Sequence, residues 1–148
     1  MKIVNRKARF NYELGERIEA GIVLTGPEVK SVKLGQVDLG NAYCKIQSSK
    51  FKAQNEIYVF NLKIFPYKHA DNENYDPTRT RKLLLHQREI LGLVAKMKQT
   101  NRMLVPTAMY TKSDLIKIEL ALARGKRKYE KRETIKKREW EREGEGVR

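Results

Sequence analysis

Between residues 12 and 24 the apolar side chains fall on every second position: Ile18, Ala20, Ile22 and Leu24 alternate with Glu19, Gly21 and Val23. A period of two marks a half-buried strand. The pattern returns over 42–47, 56–65, 103–111 and 115–124, and over 56–65 it predicts Tyr58, Phe60, Leu62 and Ile64 on one face. The Ser48-Ser49-Lys50 turn makes a hairpin of 42–47 and 56–65, and Lys112, Ser113 and Asp114 join the last two strands. Pro66 ends its strand because proline has no N–H to give to a ladder.

Two segments carry the helical period instead. In 27–34, Thr25 or Gly26 can cap, Pro27 fits the first position, Glu28 suits the positive end of the dipole, and Gly35 can close the turn. Val29 and Val32 would face inward. In 87–98, Ile90, Leu91, Val94 and Met97 are spaced as one helical face. The run 78–85 is short enough that Lys82-Leu83-Leu84-Leu85 reads equally as a buried strand or as a helical entry. Residues 1–11 read as a basic arm with at most a helical turn, and 69–76 as a polar loop closed by Asp76-Pro77.

Several short strands with a helix inserted late suit a mainly β fold, an OB-type closed antiparallel barrel with inserted helices, better than a sandwich. Charge then divides the chain. It has 148 residues and a formal net charge of +14, with 32 Lys and Arg against 18 Asp and Glu. Residues 1–123 form the expected barrel, basic by 21 to 12, and 124–148 a basic tail. Between Arg124 and Arg138 stand nine Lys or Arg and two Glu, while Tyr129, Ile135 and, just beyond, Trp140 are the few large apolar groups. Such a segment buries too little surface to offset its ordering entropy and is expected to be disordered when free. Basic charge of this density favours phosphate-rich partners. The tail lacks the sustained apolar face that a membrane partner would need.

The residues that carry enzyme chemistry are sparse. The single cysteine, Cys44, rules out an internal disulfide and suits a reducing cytoplasm. His69 and His86 are far from each other and from Cys44 in sequence, so no metal-ligand spacing is formed. There is no Gly-rich phosphate loop or nucleophile elbow. Glu19, Glu28, Asp38 and Asp76 are the carboxylates that would have to converge as an acid/base pair, and isolated acids in a basic chain more often serve as caps or ion-pair partners. The expectation is a binding protein with no catalytic residue, metal or cofactor.

Three stretches together are specific. The first runs Glu19-Ala20-Gly21-Ile22-Val23-Leu24-Thr25-Gly26, followed by Glu28-Val29-Lys30-Ser31; the second Asp76-Pro77-Thr78-Arg79-Thr80-Arg81-Lys82-Leu83-Leu84-Leu85 with Gln87-Arg88-Glu89. The third joins Ala121-Leu122-Ala123-Arg124-Gly125-Lys126 to Lys131-Arg132 and Ile135-Lys136-Lys137-Arg138-Glu139. In this order and spacing, from about residue 5 to residue 140, the chain resembles the SsrA-binding protein (SmpB) family, partner of bacterial transfer-messenger RNA (tmRNA). The resemblance implies an OB-type barrel that grips the tRNA-like domain of tmRNA, and trans-translation, the rescue of ribosomes stalled on messages without a stop codon. It implies RNA contacts at Asn5, Arg6, Lys7, Glu19, Leu84, Lys117 and Lys126. From the residues alone, Leu84 is equally a core side chain, and Lys117 a solvated one.

In the tail, Tyr129-Glu130-Lys131-Arg132 is similar to the family's decoding-centre motif, with Glu130 where Asp is usual. Tyr129, Glu130, Lys131, Arg132, Ile135, Lys136 and Trp140 are thereby implied to contact small-subunit rRNA at the decoding centre and in the empty mRNA channel. After Trp140 the chain turns acidic, and two glycines at about 1 kcal/mol each disfavour a continuing helix. The expected protein is a cytoplasmic monomer whose partners are tmRNA and the ribosome, with EF-Tu a candidate and no membrane. A structural ribosomal protein or general RNA-binding OB module, and a small carboxylate nuclease, are the rival readings.

Overall fold

A computed structural model of the chain describes residues 1–48 and 54–126. Its elements, in order, are β1 (Lys2–Val4), α1 (Arg6–Asn11), β2 (Tyr12–Ile22), α2 (Gly26–Lys33), β3 (Val37–Asp38), β4 (Tyr43–Ser48), β5 (Asn55–Phe60), β6 (Lys63–Ile64), β7 (Arg81–Leu84), α3 (Gln87–Thr100), β8 (Met103–Lys112) and β9 (Leu115–Gly125). The fold is mainly β with a few helices. The pairings run β8, β4, β5, β7, β2, β9 and return to β8, all antiparallel, so the strands form a ring. Outside it, β1 adds to β8, and β3 pairs with β6.

Alternation in β2 places Ala20 in the core, with Ile18 and Ile22 against it and Glu19 facing out. The β8–β9 hairpin turns at Ser113 and Asp114, both left-handed with φ of 50° and 64°. Two successive positive φ values match the twist of the flanking strands. Pro106 sits in β8 where the register shifts, at an irregularity that tolerates its missing N–H. In α2, Thr25 is the cap: its hydroxyl accepts from the Glu28 N–H and the Glu28 carboxylate accepts from the Thr25 N–H, a reciprocal box. Gly35, with φ of 77°, follows the helix.

The structure changes four readings of the pattern. The arm 1–11 is built into the fold as β1 and α1. The ambiguous run 78–85 contains β7, whose Arg81 and Leu83 point inward while Lys82 and Leu84 point out. In α3 the inward face is Ile90, Leu93, Val94 and Met97, whereas Leu91 is exposed. The strand over 56–65 is broken: β5 stops at Phe60, Asn61 adopts φ of 57°, and β6 begins at Lys63. Ile57 and Val59 are the buried residues of β5, so Tyr58 and Phe60 face outward, while Leu62 and Ile64, beyond the break, are fully buried. A left-handed residue reverses the alternation, and that is invisible to a period count.

The expected hairpin of β4 and β5 pairs Tyr43 with Phe60 through Ser48 with Asn55, and its turn lies outside the described residues. β9 continues to Gly125, two residues past the expected end of the barrel. No helix among the described residues is long and apolar enough to cross a membrane.

One charged pair is built into the core. Glu28 is 1% and Arg81 0% exposed. Arg81 donates from Nε to Glu28 at 2.7 Å, from Nη1 to the Leu62 carbonyl at 2.6 Å, and from Nη2 to the Pro77 carbonyl at 3.1 Å and the Tyr75 hydroxyl at 3.3 Å. Arg79 adds a bond to the other Glu28 oxygen at 2.5 Å. Burial raises the Glu28 pKa, but the Thr25 N–H and the two guanidiniums more than offset it and hold it below the usual carboxylate range. A lowered folded value means that this contribution is complete above the unfolded pKa, about 4.3, and is lost as pH falls through the folded one. Glu28→Gln leaves Arg81 buried without its counter-charge and is expected to cost about 3–5 kcal/mol at neutral pH. Urea unfolding followed down the acid limb checks this: wild-type stability should decline below about pH 4 more steeply than that of the variant.

Candidate nucleic-acid interface

The outward rows of β7, β2, β9 and β8 meet at one end of the ring. The register sets Leu84 opposite Gly21, Gly21 opposite Lys117, and Lys117 opposite Tyr110. Leu84 is 54% exposed, so its alternative as a core side chain falls away; Leu83 takes that place. A Cβ built on Gly21 would stand 3.2 Å from Leu84 Cβ. The glycine therefore lets Leu84 lie across β2 beside Lys117. These residues and Glu19 line an open groove of about 460 Å³, continued by Asn55, Lys82 and Gln87.

Glu19 has a like-charged neighbour, since Glu119 is its partner on β9. Two carboxylates directly opposite repel. Each has its own relief: Arg17 bridges Glu119 at 3.1 Å, and the Tyr110 hydroxyl donates to Glu19 at 2.6 Å with Lys112 Nζ at 3.5 Å. The Tyr110 bond, then the charges of Lys112 and Lys117, outweigh desolvation and lower the Glu19 pKa. Burial, then the Glu19 bond and charge, push Tyr110 up to about 12. At neutral pH the pair is a fixed phenol donor on a fixed carboxylate acceptor, beside the row that carries Leu84 and Lys117. Such a groove can accept base amino groups, cover an unstacked base and neutralise a phosphate.

The expected site residues fall into two groups. Glu19, Leu84 and Lys117 converge at the groove. The second group lies away from it: Asn5 is bonded to Pro106 and Thr107 of β8, level with Glu119 and Leu120, and Arg6 and Lys7 follow it in α1. Lys126 is at the far end, after β9, whose Gly125 pairs with Tyr12, with its Nζ donating to the Arg9 carbonyl at 3.1 Å. Lys126 is nine residue steps beyond Lys117 along and just past β9, about 30 Å at 3.4 Å per residue. Arg6 and Lys7 are exposed. Asn5 is 3% exposed: its amide donates to the Leu39 and Pro106 carbonyls and its oxygen accepts from the Ala8 N–H. These bonds engage its amide and its oxygen in fixing the arm and capping α1. Tyr129, Glu130, Lys131, Arg132, Ile135, Lys136 and Trp140 lie outside the described residues.

Sequence reasoning passed over Tyr110 and Lys82, which stand in strands as ordinary outward residues; only the tertiary structure sets Lys82 in the groove lining and Tyr110 behind Glu19. The carboxylates Glu28, Asp38 and Asp76 do not join Glu19. Asp38 accepts from the Gly40 N–H, and Asp76 from the Thr78 N–H and hydroxyl. Among the described residues no group of three His, Cys, Asp or Glu is placed to hold a metal ion.

A family model described as SmpB protein matches residues 2–147. The chain belongs to the SmpB family. Among its relatives is the SsrA-binding protein of Persephonella marina, 47% identical over 139 residues, covering 94% of this chain and 88% of that protein. The SsrA-binding protein of Malacoplasma penetrans is 43% identical over 141 residues, covering 95% and 92%. A solved structure described as "tmRNA-SmpB: a journey to the center of the bacterial ribosome" is similar with a TM-score of 0.67 and 40% identity, over 90% of this chain and 94% of that one. Family membership thus spans both the ring and the tail.

Tyr110→Phe removes one hydroxyl and keeps the ring. The Glu19 carboxyl should then titrate closer to the ordinary carboxylate value in a carbon NMR titration, with global stability changed by only about 1 kcal/mol. An unchanged Glu19 titration would show that the lysines alone set it.

Proposed function

We propose that this chain is the RNA-binding adaptor of ribosome rescue: it binds the tRNA-like domain of tmRNA and delivers it to stalled ribosomes, where the nascent peptide is tagged. The observation that carries this reading is the convergence of Glu19, Leu84 and Lys117 on one groove in a chain that belongs to the SmpB family along its length. The strand ring is an OB-type closed barrel, residues 1–123, extended by a tail, 124–148. The protein acts in the cytoplasm as a monomer and without catalysis, and EF-Tu is a further partner.

Placing the groove and the tail root about 30 Å apart supports a division of labour. The groove grips the tRNA-like domain. Arg6, Lys7 and Lys126 hold phosphate near the tail root, and Tyr129, Glu130, Lys131, Arg132, Ile135, Lys136 and Trp140 act in the decoding centre and message channel.

Glu19→Ala and Lys117→Ala should weaken binding to the isolated tRNA-like domain while leaving thermal stability near wild type. Lys117→Ala should also lower the slope of log affinity against log salt by about 0.7–0.9, the loss of one phosphate contact. Unchanged affinity in both variants would place the RNA on another face. Changing Glu130, Lys131 and Arg132 together to Ala should preserve nearly all affinity for isolated tmRNA and abolish peptide tagging on stalled ribosomes. Equal losses of both would make the tail part of the RNA grip.

A further inference from the structure

The outward face of the sheet continues beyond the groove. On β4 and β5, Tyr43 pairs with Phe60 and Lys45 with Tyr58, and Tyr58 pairs in turn with Lys82 on β7. The rings of Tyr43 and Phe60 are stacked, with centroids 5.5 Å apart and planes within 12°. Both are partly exposed, although each could have been a core residue in a mainly β protein. Lys45 Nζ sits above both, 5.6 Å from the Tyr43 centroid and 5.8 Å from that of Phe60. The neighbouring cation is differently engaged: Lys82 pairs with Glu56 at 3.5 Å, and Glu56 also accepts from the Tyr58 hydroxyl. Lys45 is the cation held by the ring faces.

A flat pair of near-parallel rings under a mobile ammonium is suited to an unstacked base with its phosphate. The base can take the ring face on which the ammonium rests, and the ammonium can move to the phosphate, exchanging a weak cation–π contact for a charged one. Position adds to chemistry. Phe60 stands three residues along β5 from Ile57, the partner of Leu83, so the rings lie roughly 10–15 Å from Leu84 on the same face. One OB-type module covers about 4–16 nucleotides, so both ends of this surface fall within one footprint.

We propose that Tyr43, Phe60 and Lys45 form a second RNA subsite, which stacks one unpaired nucleobase and passes Lys45 from the rings to the adjoining phosphate. The subsite rests on the RNA-binding reading above and extends it to single-stranded RNA that runs from the groove across β7 and β5. The reversal at Asn61 is what provides it, because continuous alternation from Leu62 and Ile64 would have turned Phe60 inward.

The test uses the full chain with two probes, a fluorescein-labelled uridine strand of about 12 nucleotides and the isolated tRNA-like domain. The double variant Tyr43→Leu, Phe60→Leu keeps apolar cover and removes the stacking faces. It should bind the uridine strand about 5- to 140-fold more weakly, the equivalent of one lost base stack, with the salt slope unchanged. Lys45→Met should instead lower that slope by about 0.7. If the double variant melts like wild type and binds the strand equally well, the subsite is overturned. If it fails to fold, the wild-type protein decides with a strand carrying 4-thiouridine. Crosslinks in the peptides of Tyr43 or Phe60 support the subsite, and crosslinks confined to the Leu84 and Lys117 end overturn it. Wild-type protein that fails to retain the tRNA-like domain would instead overturn the function proposed above, so the two failures are distinct.

Discussion

A guanidinium without access to water holds together the parts of this molecule that alternation cannot. Arg81 lies on β7, yet its donors reach Glu28 in the first turn of α2, the Leu62 carbonyl just past the end of β5, and Tyr75 and Pro77 in the long connection between β6 and β7. A loop of that length with little secondary structure has few apolar contacts of its own, and fixed polar groups must anchor it. A buried ion pair is seldom a net gain over apolar packing of the same volume. Here it does what apolar packing cannot. It satisfies a carbonyl left unpaired by the strand break and fixes the direction of three separate segments.

The break at Asn61 shapes the surface as much as the core. By changing which side of the sheet the chain presents, it sends Leu62 and Ile64 inward and leaves Tyr58 and Phe60 outside. The outer face from β4 to β8 thereby carries two chemistries in succession: aromatic rings under a lysine, then an exposed leucine beside a lysine and a carboxylate. The small residue Gly21 makes the second arrangement possible, since any side chain there would crowd Leu84. Glu19, flanked by a phenol and two lysines, remains an acceptor beside them.

The long β2–β9 ladder then acts as a ruler. It holds the groove at one end and, at the other, the short helix α1 and the root of the tail. Asn5 fastens the arm midway along it, to the irregularity in β8 around Pro106 and Thr107.

Much of this was legible in the residues themselves. Alternation revealed β2, β4, β8 and β9, and the cap chemistry of Thr25, Pro27 and Glu28 revealed α2, because those signals are local and depend on the backbone period alone. The family resemblance singled out Glu19, Leu84 and Lys117, which the strand register brings to one groove. What the tertiary structure decided was everything that depends on partners distant in sequence. Leu84 is outside because Leu83 is the one that fits the core. Asn5 is a structural clamp because two carbonyls 34 and 101 residues away converge on its amide. In α3, Leu93 displaces Leu91 from the inner face, since rotation about the helix axis is set by the sheet beneath it. The phase of β5 was misread for the same reason: a single left-handed residue, held in a fold stitched by Arg81, costs the sequence pattern nothing and reverses every side chain that precedes it relative to those that follow.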